Sequence, residues 1–275
     1  MMRDIENRTI TPDGQLMLEK AGKDRIETVW DRYEAQTPQC GYCEMGLSCR
    51  VCNMGPCRVD PFGEGPQQGV CGADADIIVA RNLGRMVAAG AASHSDHGRD
   101  LVEVLHEVAA GRAPGYGITD PEKLKRVAAE YGVESDGRPT LEIAGALADA
   151  MMGDFGSRKK ELTLVARAPE KRREVWRRIG AMPRGIDRET SEMMHRTHMG
   201  VDNGWQSLLL HALRNALSDG WGGSMIATEV SDILFGTPKP SANTVNVGVL
   251  KADQVNIIVH GHNPVVSEML LQACQ

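Results

Sequence analysis

Six of the chain's seven cysteines lie between Cys40 and Cys71, in CGYCEMGLSCRVCNMGPC and one later position, with the spacing C-x2-C-x5-C-x2-C-x4-C-x13-C. Cys49, Cys52, Cys57 and Cys71 make a set of four. Three thiolates come from a turn-rich loop and the fourth from a later segment, which is how a cubane iron-sulfur cluster is held. Gly55 and Pro56 let the backbone wrap such a site, and loop amides can hydrogen-bond to sulfur and tune it. Four thiolates also suit a closed zinc site, and structural disulfides are a third reading. Cys40 and Cys43 are left over, and two thiolates are half of what a conventional cluster needs. They could form a disulfide, a labile pair, or half of a cluster on a molecular two-fold axis to which each subunit gives two ligands.

Six of the eight histidines fall into close pairs: His94 with His97, His195 with His198, and His260 with His262. The first two pairs are spaced i, i+3 and can share a helix face, where they either bind a metal or satisfy hydrogen bonds at a packed interface. His260 and His262 follow the apolar run VNIIV, at the carboxyl end of an expected strand. Open α/β sheets put their chemistry there, and residues i and i+2 of a strand share one face.

The elements that must position these residues are mostly helical. Residues 1 to 38 read as a polar lead-in with one short amphipathic helix near RIETVWDRYEA, and residues 40 to 72 as loop, with too little apolar content to organise themselves by burial. A helical pattern begins at Asp74 and runs to about Val108, with Gly98 as a possible interruption. PTLEIAGALADAMMGDF reads as another helix, EKRREVWRRIG as one behind Pro169, and WQSLLLHALRNALSDG as one ending at Gly220, with Leu208, Leu209, Ala212, Leu213, Ala216 and Leu217 on its apolar stripe. Beyond the linker-like GTPKPSANT, the stretches TVNVGVL and VNIIVHG read as strands and NPVVSEMLLQACQ as a helix. The expected fold is thus a mainly α N-terminal domain, residues 1–240, with a cysteine-rich cluster-binding loop, followed at 241–275 by the start of an α/β Rossmann-like domain. Two strands and a helix do not close a core, so the chain reads as the front of a longer protein or a truncated piece of one.

Composition narrows the class of function. Hydrophobic residues at 41% and charged residues at 25% are those of a globular protein, and aromatics at 4% leave the core to aliphatic side chains and 14 methionines. The formal charge of -6 argues against nucleic acid as a partner. The basic run from Arg167 to Gly180 has no accompanying nucleic-acid motif and reads as a solvated helix face. No apolar leader and no 18-residue apolar run is present. A cytoplasmic location is expected, where clustered thiols point to metal before disulfide.

CGYCEMGLSCRVCNMGPCR, together with AAGAASHSDHGRD, MHRTHMGVDNG, SDGWGGSMIATEVSDILFGTP and VHGHNPVVSEM, resembles the catalytic subunit of anaerobic nickel-iron carbon monoxide dehydrogenase. The resemblance runs from about Cys40 to the end, and covers only the N-terminal part of that longer polypeptide. It implies that Cys49, Cys52, Cys57 and Cys71 hold a [4Fe-4S] relay, the B-cluster. Cys40 matches a ligand of the D-cluster, shared between the subunits of a homodimer. The family's frequent second D-cluster cysteine, just before the B-cluster set, is Ser48 here; the chain offers Cys43 instead, like the variant with a [2Fe-2S] rather than a [4Fe-4S] D-cluster. His262, with His260 as the alternative, matches the histidine on an iron of the Ni-Fe-S C-cluster, whose thiolates lie outside this segment. Cys274 has no ligand role. His94 and His97 match the first members of a histidine proton relay, and Asp100 replaces a third.

The implied reaction is reversible: CO + H2O gives CO2, two protons and two electrons. The electrons would leave through the B- and D-clusters to an external acceptor such as a ferredoxin, and the protons through imidazoles, which suit transfer near neutrality. Two other classes stay open from the sequence: a non-catalytic dimeric iron-sulfur module for electron transfer or redox sensing, and a zinc-stapled scaffold. Hybrid-cluster proteins are a looser likeness, since HSDHGRD and HGHNP fit the carbon monoxide enzymes better.

Overall fold

A computed structural model describes residues 5–157, 161–240, 242, 250–259 and 264–274. They fall into two compact units, Met1–Met45 with Pro240–Val259, and Gly46–Lys239 with His260–Gln275.

In the first unit, helix α1 (Pro12–Lys23) starts where Thr11 Oγ1 accepts the Gly14 amide. Helix α2 (Val29–Glu34) starts with a capping box between Thr28 and Asp31. Arg8 lies 4.7 Å over the Trp30 ring and pairs with Glu34 at 2.6 Å. Helix α3 (Gly41–Glu44) is a single turn that begins just after Cys40. The short helix expected near residues 25–35 is α2. Helix α1 was not expected, although Thr11 and Pro12 mark its start; none of its residues is buried, so burial does not reinforce that signal. Over VNIIV, where a buried strand is expected, residues 255–259 have no ladder partner among the described residues, and Val255, Ile257 and Ile258 are 91%, 62% and 74% exposed. A strand exists by pairing with a neighbour's backbone. The other expected strand, apart from Leu250, and both His260 and His262 lie outside the described residues.

The second unit is a bundle built around α4 (Ala75–Ala109), 35 residues capped by the Asp74 carboxylate on the Ile77 amide at 3.0 Å. Its buried positions Ile77, Arg81, Gly84, Ala88, Ala91, Ser95, Gly98, Val102 and Leu105 alternate steps of four and three, a seam along one face. The centre of that seam is small, so neighbouring helices can approach closely. Around α4 come β1 (Ser48–Cys49) and β2 (Cys57–Arg58), then α5 (Pro121–Glu130), α6 (Thr140–Gly156), a 3-10 turn (Thr163–Arg167), α7 (Glu170–Ile179), α8 (Ile186–Arg196), α9 (Trp205–Ser218) and α10 (Met225–Phe235), with α11 (Pro264–Ala273) last. The main core joins Leu101 and Leu105 of α4 to Leu124, Leu147, Met151 and Ile233. A smaller core of Val59, Ile77, Ile78 and Leu208 lies under the cysteine loop.

Two expectations change. Gly98 does not interrupt α4. Nor does α9 end at Gly220: it passes through one π-helical turn, Asp219–Ser224, directly into α10. The buried stripe of α9 is Leu208, His211, Ala212, Asn215 and Ser218, while Leu213 is 44% exposed. Polar residues enter this face because α8 brings a charge to meet it. Glu189 is fully buried and accepts from Arg184, from Arg214 Nε at 2.8 Å and from His211 Nε2 at 3.0 Å. The basic run is solvated as expected, with only Trp176 of α7 buried. Among the described residues no helix is long and apolar enough to cross a membrane.

Burial alone would push the Glu189 carboxyl up, but hydrogen bonds from His211, Arg184 and Arg214 outweigh it and hold the pKa at about 2, against an ordinary 4.5. A depressed folded-state pKa gives stability that is complete above the ordinary value and lost as pH falls towards the depressed one. Glu189→Gln, which removes the buried carboxylate that two half-buried arginines and His211 share, is expected to cost about 3 kcal/mol at pH 7. The deficit should shrink as pH falls from 4.5 towards 2, which denaturant titrations of the full-length protein at several pH values would read.

Candidate metal centre and proton-transfer residues

Cys49 and Cys57 face each other across the two-residue antiparallel pair β1–β2, so both side chains lie on one face of the hairpin. The Val59 amide extends this pairing to the Leu47 carbonyl at 3.1 Å, and Asn82 of α4 ties the hairpin down through Gly46 O at 2.9 Å and Ser48 O at 3.1 Å. Cys52 lies in the connection between the strands. Cys71 returns to the same place because Asp60 folds the intervening loop, its carboxylate accepting the amides of Phe62, Glu64 and Gly65 at 2.9, 2.8 and 2.6 Å. The first of these bonds contributes most to holding the Asp60 carboxyl below its usual range.

All four cysteines line one recess, with Val51, Val70, Ile78, Arg81 and Met199 completing its wall. Donors reach sulfur, among them the Val70 amide to Cys57 at 3.4 Å and Arg81 Nη1 to Cys71 at 3.4 Å. Burial raises the Cys71 thiol, but the hydrogen bond from Arg81, the Ala73 amide and the Arg81 charge bring it below its ordinary value. A Cβ at Gly69 would sit 3.3 Å from Cys57 Sγ, so the absent side chain keeps the wall of the recess clear. No cysteine is disulfide-bonded. Among the described residues no three His, Cys, Asp or Glu side chains gather tightly enough to hold a single metal ion. The donor set, four thiols lining one recess with amide and guanidinium donors to sulfur, fits a sulfur-bridged cluster. Cys40 caps the start of α3 in the first unit and Cys43 lies within it, and both are exposed.

His94, His97 and Asp100 follow one another at three-residue steps along α4. His94 Nδ1 lies 2.7 Å from Asp219 Oδ1 and 3.2 Å from Ser224 Oγ, and Ser224 Oγ also donates to Asp219 at 3.1 Å. A carboxylate can only accept, so Nδ1 carries the proton and Nε2 is the nitrogen that can take one. Asp219 and Ser224 open and close the π turn, and sequence reasoning missed both. A run of SDGWGGS inside a helical pattern is the one signal that could have exposed them, since π turns gather at functional positions. The turn comes close because Gly223 and Gly98 have no side chains: a Cβ on Gly223 would meet His94 O at 2.7 Å, and one on Gly98 would meet Gly223 O at 2.9 Å. Further along the row, Asp100, Glu103, Val104 and Glu107 share a surface recess with Val265 and Val266 of α11. His195 and His198 are both exposed.

Residues 47–275 match the prismane/CO dehydrogenase family. The chain belongs to that family. It is 56% identical over 275 residues to carbon monoxide dehydrogenase 1 of Methanosarcina mazei, covering all of this chain and 44% of that protein. Of solved structures, a nickel-free carbon monoxide dehydrogenase from Thermococcus sp. AM4 superposes with a TM-score of 0.93 at 52% identity, covering 99% of this chain and 43% of that one. An acetyl-CoA synthase/carbon monoxide dehydrogenase described by nickel-containing [Fe4S4] clusters in its alpha subunits superposes with a TM-score of 0.89 at 42% identity, covering 98% of this chain and 41% of that one. This family member therefore spans less than half the length of the relatives it matches.

The Gly98–Gly223 contact is what sets Asp219 against His94. Gly223→Ala is expected to destabilise the full-length protein by about 1–3 kcal/mol through overpacking against backbone. Gly220→Ala, whose Cβ would meet nothing within 4 Å, serves as the control, and urea unfolding of both variants would separate them.

Proposed function

We propose that the chain is the relay-carrying N-terminal part of a carbon monoxide dehydrogenase catalytic subunit, acting in the reversible oxidation of CO with water to CO2, two protons and two electrons. The observation that carries this reading is the recess in which four thiols meet amide and guanidinium donors, walled in part by the helix that also bears His94. Cys49, Cys52, Cys57 and Cys71 would hold the [4Fe-4S] B-cluster, and Cys40 and Cys43 half of a D-cluster, [2Fe-2S] or [4Fe-4S], shared with a second copy in a homodimer. His262, or His260, would bind iron of the Ni-Fe-S C-cluster, which supplies the site where CO and water are brought together and electrons are withdrawn. The helical domain is assigned to 1–240 and the start of an α/β domain to 241–275. A ferredoxin-like acceptor and a cytoplasmic location complete the proposal.

The protein's own part in the chemistry is to move protons and shape the path of electrons. Asp219 and Ser224 hold the His94 ring in one tautomer, so Nε2 receives a proton and hands it on towards His97, one helical turn along α4. Val265 shares a recess with Asp100. The chain would contribute the thiol-lined recess as the first station for electrons.

Anaerobic expression of the full-length protein with iron and nickel analysis and CO-dependent dye reduction tests the reading. Iron, nickel and turnover together are expected. Iron without nickel or turnover would return the chain to an electron-transfer or sensing module, and a colourless zinc protein would overturn the cluster. His94→Ala is expected to lower turnover about 10²- to 10⁴-fold with iron and nickel content unchanged; unaltered turnover would remove His94 from the proton path. Asp219→Asn, which removes the carboxylate that sets the tautomer, should act in the same direction.

A further inference from the structure

Arg81 is 1% exposed. Its guanidinium is held in place at one edge, where Nη2 donates to Asn203 Oδ1 at 2.7 Å and to the Asp202 carbonyl at 3.2 Å. Its other terminal nitrogen, Nη1, reaches Cys71 Sγ at 3.4 Å. A buried cation requires a counter-charge, yet among the described residues no carboxylate lies within ion-pair distance of Arg81. The nearby Asp202 carboxylate is taken by Arg196 at 2.5 Å and by the Gly204 amide at 2.9 Å. Cys71 sulfur is the one group able to carry negative charge that the guanidinium touches. Arg81 Nε is also buried and has no acceptor among the described residues, and the side chain forms part of the wall of the four-cysteine recess. A second sulfur acceptor inside the recess would satisfy it.

We infer that Arg81 is a positioning residue that sets the reduction potential of the cluster in this recess, its fixed charge and forked donors favouring the reduced form. The inference rests on the proposal that Cys49, Cys52, Cys57 and Cys71 hold an iron-sulfur cluster. Reduction adds one electron, and the added charge spreads over iron and sulfur. A cation and its hydrogen bonds in a low-dielectric site stabilise the more negative state more than the less negative one. Arg81 therefore raises the potential, and makes the recess a better acceptor for electrons arriving from the reaction centre. Asn203 and the Asp202 carbonyl hold the guanidinium so that the charge does not turn away when the cluster is oxidised.

The test uses the full-length protein, produced anaerobically, as wild type, Arg81→Gln, Arg81→Lys and Cys52→Ser. Iron is counted per chain, and a potentiometric titration is followed by the paramagnetic signal that Cys52→Ser abolishes. Arg81→Gln is expected to keep its iron and to show about a tenfold lower reduced-to-oxidised ratio at a fixed potential, ~59 mV for a one-electron couple. Arg81→Lys, which keeps the charge and loses the fork, should shift in the same direction by less. An iron-replete Arg81→Gln with the wild-type midpoint, or a higher one, overturns the role of Arg81 while leaving the cluster intact. If Arg81→Gln fails to take up iron, Arg81→Lys decides, and a midpoint equal to or above that of the wild type overturns the inference. A wild type with no iron, or with no signal dependent on Cys52, fails the cluster proposal itself and takes this inference with it.

Discussion

The second unit depends on how closely α4 can be approached. A 35-residue helix whose central seam is Gly84, Ala88, Ala91, Ser95 and Gly98 offers little side-chain volume, so α8, α9 and the π turn can pack almost directly onto its backbone. The contact between Gly98 and Gly223 is the tightest expression of this. Bulk at either position would push the turn away from α4, and with it Asp219 and Ser224. The polar chemistry at His94 is thus a consequence of small residues elsewhere on the same face.

The same helix joins two kinds of chemistry. Arg81 sits near its first turns, against the cysteine recess, and His94, His97 and Asp100 sit in its middle. Thirteen residues separate Arg81 from His94, ~20 Å at 1.5 Å per residue. A continuous helix is stiff over that length, so the thiol recess and the imidazole row keep a fixed spacing.

Buried charges inside this unit are met in different ways. Glu189 is buried with two arginines and a histidine around it, and Lys123 is buried between Glu229 and Asp232, so each has opposite charge beside it. Buried Asp60 and Asp154 are met by neutral donors instead, backbone amides for Asp60 and Tyr131 with Thr163 for Asp154. Buried Arg81 is met by Asn203, the Asp202 carbonyl and the Cys71 sulfur.

The sequence by itself determined what is local. Thiol spacing, the helix starts at Asp74 and Pro169, the solvated basic run of α7 and the three-residue steps from His94 to Asp100 all depend on near neighbours, and each could be read from residue type and interval. Tertiary structure decided what depends on distant partners. Asp219 lies 125 residues from His94, and Asn203 lies 122 from Arg81, so no interval in the sequence announces either pair. The polar stripe of α9 was misread for the same reason, since His211 faces inward to meet Glu189, which α8 brings to that side of the bundle. VNIIV was read as a strand from its own β-propensity, but pairing requires a second backbone, which sequence pattern cannot supply.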